Sequence, residues 1–278
     1  MIRIVTDTTA SFIPDDYAKY NITPVPLYIR NGDIVKKELF EISYREFYEN
    51  QRKGIRYSTA QPDPNTFLET FRPIIEAGDE IICLVLSSQI SGTINSATVA
   101  KEMLGTDRIS IVDSYSSGNG LGSLAIKAAQ LAAAGKNRSE IVAALEAHRE
   151  RTRIYFIVES LRYLYEGGRL NGAQALVGSL IQIKPIIWFD ATGKMTVFEK
   201  IRTLKAAKTR VLELVRARVP LGIEAASLHY GDNYQEAVAY ARLMEEILAV
   251  PVPLCQISPV IASHTGPDVL GPCIITKF

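Results

Sequence analysis

Apolar and polar positions along this chain fall into short blocks that alternate between strand and helix periods. The clearest block runs from Glu80 to Ala97. Ile81 to Leu86 is an unbroken apolar run, the pattern of a strand covered on both faces. Ser87 to Thr93 follows, a loop of hydroxyls with Gly92 near its end. An alanine-containing helical segment starts at Thr93. A strand, a polar turn and a helix start bring unpaired N–H groups and the positive end of a helix dipole together, which favours an anion. The loop has no lysine, so it is not a Walker A phosphate cradle. It suits a carboxylate or a single phosphate. A simpler use of Ser91 or Thr93 is to cap the helix.

The same strand–turn–helix pattern recurs on either side. Ile2 to Val5 ends in Thr6-Asp7-Thr8-Thr9-Ala10, and Pro14 opens a helix that ends near Tyr20. Arg108 to Val112 ends in Asp113-Ser114-Tyr115-Ser116-Ser117-Gly118, with a helix expected over 123–134. Asn137 and Glu140 form a capping box for a helix reaching Arg151. Alternation of this kind predicts a mainly parallel sheet with helices on both faces and the polar turns on one edge. A small β excursion is expected near 22–37, with a turn at Asn31-Gly32. Ser43 caps a helix to Arg52, with Glu46 completing a capping box. Thr59 falls in an extended loop held by Pro62 and Pro64, and Asp63 caps the helix that follows.

Beyond Arg153 the pattern changes to strands joined by hairpins and helices. A hairpin is expected at Lys184 to Ile201, helices at 204–218 and 234–248, and strands at 154–158, 225–230, 250–257 and 271–276. The fold class read from this is α/β, an N-terminal mainly parallel sheet with helices on both faces (1–153), plus a C-terminal α+β domain (154–278). A ligand would lie between the two. Leu161 to Glu166 is a short helix stopped by Gly167-Gly168, and Arg169 lies just past the stop. An arginine there can hold an oxyanion, cap carbonyls or simply face water.

Composition narrows the function classes. The chain has 278 residues, 22% charged and 47% apolar, with a net charge of +1. No whole-protein field draws it to nucleic acid. The longest charge-free apolar region, 170–183, is too short and too polar for a membrane span. Cys83, Cys255 and Cys273 have neither disulfide nor zinc spacing and fit a reducing cytoplasm as small core residues. His148 sits on a charged helix face and is expected to be solvated. His229 and His264 lie at polar turns without metal-ligand spacing, so no metal is expected. Ser91 and His264 could serve an acyl hydrolase or a phosphotransferase, but the Gly-x-Ser-x-Gly elbow is missing.

Several of these stretches resemble the DegV family: Thr6-Asp7-Thr8-Thr9-Ala10, Thr59-Ala60-Gln61-Pro62, Ser88 to Ala97, Asp113-Ser114, Leu164 to Leu170 and His264-Thr265-Gly266-Pro267. They occur in the family's order and span the chain. The resemblance implies a cytoplasmic two-domain protein, not itself an enzyme, that buries one long-chain fatty acid such as palmitate, stearate or oleate and needs no cofactor. It implies presentation of the carboxylate to an ATP-dependent fatty acid kinase subunit, which makes an acyl phosphate for phospholipid metabolism. It leaves room for transient membrane contact. Thr59, Ser91 and the Gly92 N–H match the carboxylate cradle. Arg169 and His264, with Thr265 beside it, match the head-group vicinity. The family loop reads Thr-Ser-Gln-Pro-Ser; Ala60 and Asp63 replace its two serines here. Small-residue stretches at 122–133 and 173–179 are candidate tunnel walls.

Overall fold

The computed structural model describes residues 1–170 and 183–278. The small-residue stretch at 173–179 lies outside them. The chain opens with β1 (Ile2–Asp7), α1 (Pro14–Tyr20), β2 (Ile22–Val25), β3 (Tyr28–Asn31), β4 (Ile34–Lys37), α2 (Tyr44–Arg52), β5 (Ser58–Ala60), α3 (Pro64–Glu76) and β6 (Glu80–Val85). Then come α4 (Thr93–Leu104), β7 (Ile109–Asp113), α5 (Asn119–Ala133), α6 (Arg138–Arg151), β8 (Thr152–Val158) and α7 (Arg162–Glu166). After the undescribed segment follow β9 (Ile186–Phe189), β10 (Met195–Glu199), α8 (Leu204–Arg216), β11 (Ile223–Tyr230), α9 (Tyr234–Leu248), β12 (Leu254–Gln256), α10 (Pro259–Thr265) and β13 (Val269–Thr276).

The first sheet is parallel, in the order β2-β1-β6-β7. Its strands alternate faces with period two. Ile81, Cys83 and Val85 pack with Phe67, Phe71, Ala97 and Ala100 of α3 and α4. Ile82 and Leu84 point the other way, to Leu121, Leu124, Ala125, Ile141 and Leu145 of α5 and α6. That two-sided cover is why β6 reads as an unbroken apolar run. The ends of β1, β6 and β7 share one edge, as expected.

The second sheet has the order β10-β9-β8-β13-β11-β12, antiparallel except for the β11–β12 pair. One face, through Ile154, Phe156, Val158, Ile187, Val269 and Cys273, joins the same core as α5 and α6. The other packs on Ala207, Val211 and Val215 of α8 and on Tyr240, Met244 and Leu248 of α9. One apolar core therefore runs between the two sheets, the place where a ligand can be enclosed.

Several local expectations change. Ile22–Val25 joins the edge of the parallel sheet, and the separate small sheet is β4-β3-β5. Ser43 Oγ accepts the Glu46 N–H at 3.1 Å, but Glu46 turns to Lys36 Nζ at 2.6 Å, so the reciprocal half of that box does not form. Helix α5 starts four residues before expected, because His229 and a left-handed Gly118 set its first turn. The strand expected at 250–257 shrinks to Leu254–Gln256, since Pro251 and Pro253 cannot donate to a ladder. His148 is buried, not solvated. Its Nε2 lies 3.4 Å from Ser123 Oγ on α5, and burial lowers its pKa. All three cysteines are free, with Cys83 and Cys273 buried. No described helix is long and apolar enough to cross a membrane.

Candidate ligand-binding site

The polar turns after β1, β6 and β7 are wired together before any ligand is considered. Asp7 is fully buried. It accepts the Thr9 N–H at 2.9 Å, the Thr9 hydroxyl at 2.5 Å and the Leu86 N–H at 2.7 Å. Burial pushes its carboxyl up to about 6 against those bonds. Its oxygens are occupied, so Asp7 shapes the site and does not reach into it. Asp113 accepts the Ser88 N–H at 3.2 Å. The Ser87 hydroxyl donates to the Gly193 carbonyl at 2.7 Å, tying the loop to the hairpin β9–β10.

Within the organising loop, Ser91 Oγ lies 2.9 Å from Thr93 Oγ1 and accepts the Thr93 N–H at 3.3 Å. The serine thus takes one orphan amide of α4 while its lone pairs or proton remain available. The Gly92 N–H has no hydrogen-bond partner among the described residues. What crowds Gly92 is the end of the Gln61 side chain, and its backbone angles do not call for glycine. A Cβ there would lie 2.4 Å from Gln61 Oε1. Gln61 Nε2 donates to Ser96 Oγ at 3.1 Å, so this side chain straps the loop at β5 onto the start of α4.

Thr59 reaches the same place from β5, which pairs Thr59 with Ile29 of β3. Pro62 and Pro64 end the strand immediately. Asp63 accepts the Thr66 N–H at 2.8 Å and the Thr66 hydroxyl at 3.0 Å. Its charge is therefore committed to the cap of α3. Ala60 lines the cavity as well.

The second half contributes through α10, a helix not expected from sequence. Its signals are Ser258 at the cap and Pro259 in the first turn. Helix α2 positions it: Tyr48 Oη donates to the Ile257 carbonyl at 2.9 Å, and Gln51 Nε2 to the Ala262 carbonyl at 2.8 Å. His264 Nε2 stands 2.8 Å from Thr59 Oγ1. Its Nδ1 is buried without a partner among the described residues, facing Gly167, where a Cβ would come within 2.2 Å. Burial first, and the Arg169 charge second, lower the His264 pKa to about 4, so the ring is neutral at neutral pH. Arg169 is held by the Gly167 carbonyl at 2.6 Å and the Ile90 carbonyl at 3.4 Å. Thr265 lines the cavity, but its hydroxyl donates to carbonyls of its own turn, Ile261 and Gly266.

These side chains converge on one cavity of about 310 Å³. Thr59, Ser91, Gly92, Arg169, His264 and Thr265 all line it, so the residues singled out from sequence meet in space. Gln61, Thr9 and Ser117 were missed as lining groups, although each lies in or beside a stretch already picked out. Leu27, Leu86, Ile90, Met195, Val260 and Ile261 supply the apolar wall. A smaller apolar cavity of about 40 Å³ adjoins it, sharing Ser117, Met195, Ile261 and Thr265 and continuing to Ile154, Phe156, Phe189 and Val269. The described walls of both cavities hold no residue from 122–133, because α5 spends its small residues on packing. No cluster of metal-ligating side chains occurs among the described residues.

A polar end continued by an apolar one suits an amphipathic carboxylate. Ser91 and His264 are not paired as nucleophile and base: the imidazole meets Thr59, and the serine meets Thr93.

Comparisons with known proteins identify the family and the fold. The family model described as an uncharacterised protein of the DegV family matches residues 1–277. A DegV domain-containing protein of Clostridium acetobutylicum is 35% identical, covering 99% of this chain and 98% of its own. The crystal structure of DegV, a fatty acid binding protein from Bacillus subtilis, superposes with a TM-score of 0.90 at 32% identity, covering 99% of each chain. A Thermus thermophilus DegV family protein, described by its fatty acid binding, gives a TM-score of 0.90 at 28% identity over 99% of each chain. With the match running over essentially its whole length, the chain belongs to the DegV family.

Proposed function

We propose that this protein binds one long-chain fatty acid, with its carboxylate at Thr59, Ser91 and the Gly92 N–H and its tail along the apolar cavities toward Phe156 and Phe189. The observation that carries the proposal is a hydroxyl-and-amide cavity with an apolar cavity adjoining it, the two sharing Ser117, Met195, Ile261 and Thr265 as walls. Fatty acid binding by the Bacillus subtilis and Thermus thermophilus relatives supports it. Burial of each methylene contributes about 0.8 kcal/mol, so a palmitate tail gains on the order of 10 kcal/mol before ordering costs.

The protein then acts as a carrier without turnover of its own, presenting the carboxylate to an ATP-dependent kinase subunit. A carboxylate oxygen attacks the γ-phosphorus of ATP, ADP leaves, and an acyl phosphate forms. Arg169, the cation beside this cradle, is placed to meet the added phosphoryl charge. Neutral His264 can donate through Nε2 to Thr59 Oγ, freeing the Thr59 proton for the carboxylate.

Ser91→Ala tests the role. A carrier loses about tenfold in fatty-acid affinity with the loss of a charge-assisted hydrogen bond and shows no esterase activity before or after. Esterase turnover that the substitution abolishes, with ligand binding intact, would favour a hydrolase.

A further inference from the structure

A second carboxylate lies buried beneath this site. Glu38 follows β4 and is fully enclosed. Its Oε1 accepts the Val260 N–H at 2.6 Å, an amide in the first turn of α10. Val260 and Ile261 line the cavity, and His264 and Thr265 end the same helix. Glu38 Oε2 has no partner at hydrogen-bond distance among the described residues, with the hydroxyls of Thr8 and Ser258 in its vicinity. The titratable groups that feel Glu38 are Asp7 at the end of β1, Tyr17 on α1, and Tyr44 and Tyr48 on α2. None is a cation. On α10 itself His264 is neutral.

We infer that Glu38 is a positioning residue for the head-group site, holding α10 by the Val260 amide, and that an anionic ligand bound above it drives Glu38 to take up a proton. The inference rests on the fatty-acid reading. Two carboxylates enclosed in one low-dielectric region repel, so a third negative charge in the adjoining cavity raises the cost of ionised Glu38. Burial already pushes the Glu38 carboxyl up to about 7, with the Asp7 charge adding to the rise against the neighbouring hydrogen-bond donors. The group is therefore poised to respond near neutral pH. Coupling is reciprocal: if the ligand favours the protonated acid, the protonated acid favours the ligand. Affinity should fall as pH rises through this range.

Palmitate binding by the whole protein at pH 6 and pH 8.5, compared with Glu38→Gln, tests this. Glutamine keeps the shape and an acceptor for the Val260 N–H but carries no charge. The wild type should lose about fivefold more affinity across the interval than the variant, the ligand's own ionisation being common to both. Calorimetry near pH 7 in two buffers of different ionisation heat should show more proton uptake by the wild type. Equal pH profiles and equal proton uptake would overturn the role of Glu38 while leaving fatty-acid binding intact. A wild type that binds no palmitate at any pH would overturn the fatty-acid reading itself. Should the variant not fold, the wild type decides alone with hexadecanesulfonate, a permanent anion: uptake centred near pH 7 supports the role, and none refutes it.

Discussion

The hydroxyl of Thr59 and the Nε2 of His264 are 205 positions apart in the chain and 2.8 Å apart in the fold. The contact joins β5, an edge strand of the small sheet, to the last turn of α10. It fixes the threonine hydroxyl at the edge of the cavity and couples its proton to the imidazole.

Thr59→Val removes that hydroxyl at nearly constant volume. It leaves His264 Nε2 without its partner and the ligand carboxylate one donor short. Fatty-acid affinity should fall about tenfold to a hundredfold, the worth of a hydrogen bond to a charged group. Competition with a fluorescent fatty acid reads it. Unchanged affinity would remove Thr59 from the cradle.

Gly92→Ala puts a methyl group 2.4 Å from Gln61 Oε1. Gln61 must swing away from Ser96 or the loop must shift, at a cost of at most about 1–3 kcal/mol, and the change should also displace the Gly92 amide. Gln61→Ala removes the obstacle, so the double variant should recover stability in urea relative to Gly92→Ala alone. If both single costs simply add, the steric account is wrong.

His229 gives a pH test with a defined sign. Its Nδ1 donates to the Gly271 carbonyl at 3.0 Å, and its Nε2 accepts the Asn119 N–H that opens α5. Burial lowers its pKa to about 4 from 6.5, against the Gly271 bond. Between those values the unfolded chain takes a proton that the fold refuses. Stability is therefore lost as pH falls from 6.5 toward 4, by at most about 1.4 kcal/mol per pH unit. His229→Gln keeps an acceptor and lacks this loss, so it should gain on the wild type as pH falls. Parallel melting curves of the two proteins across that range would contradict it.

Met195 lines both cavities. Met195→Trp should block the passage between them. Palmitate binding should drop strongly while octanoate, which needs only the head-group cavity, still binds. Native mass spectrometry with both ligands distinguishes this from general loss of the site.

Much of this was legible in the chain because local and global demands agree in the first half. The run Ile81 to Leu86 is apolar without a break because α3 with α4 and α5 with α6 cover its two faces. Asp63 and Asn137 cap the helices their positions suggested. What failed depended on distant partners. His148 looked solvated because its neighbours in sequence are charged, yet α5 covers it. Helix α10 has only seven residues and little periodicity, and it is held by Glu38, Tyr48 and Gln51 from more than 200 positions away. No spacing rule could pair Thr59 with His264. Their shared place in the site followed from the family resemblance, and their contact from the fold.

The most direct measurement is denaturing extraction of the purified protein followed by mass spectrometry of the released small molecules. A carrier whose tail is buried along Met195, Phe156 and Phe189 should yield about one long-chain fatty acid per chain. A protein that yields none, and that fails to take up added palmitate or oleate, would contradict the account.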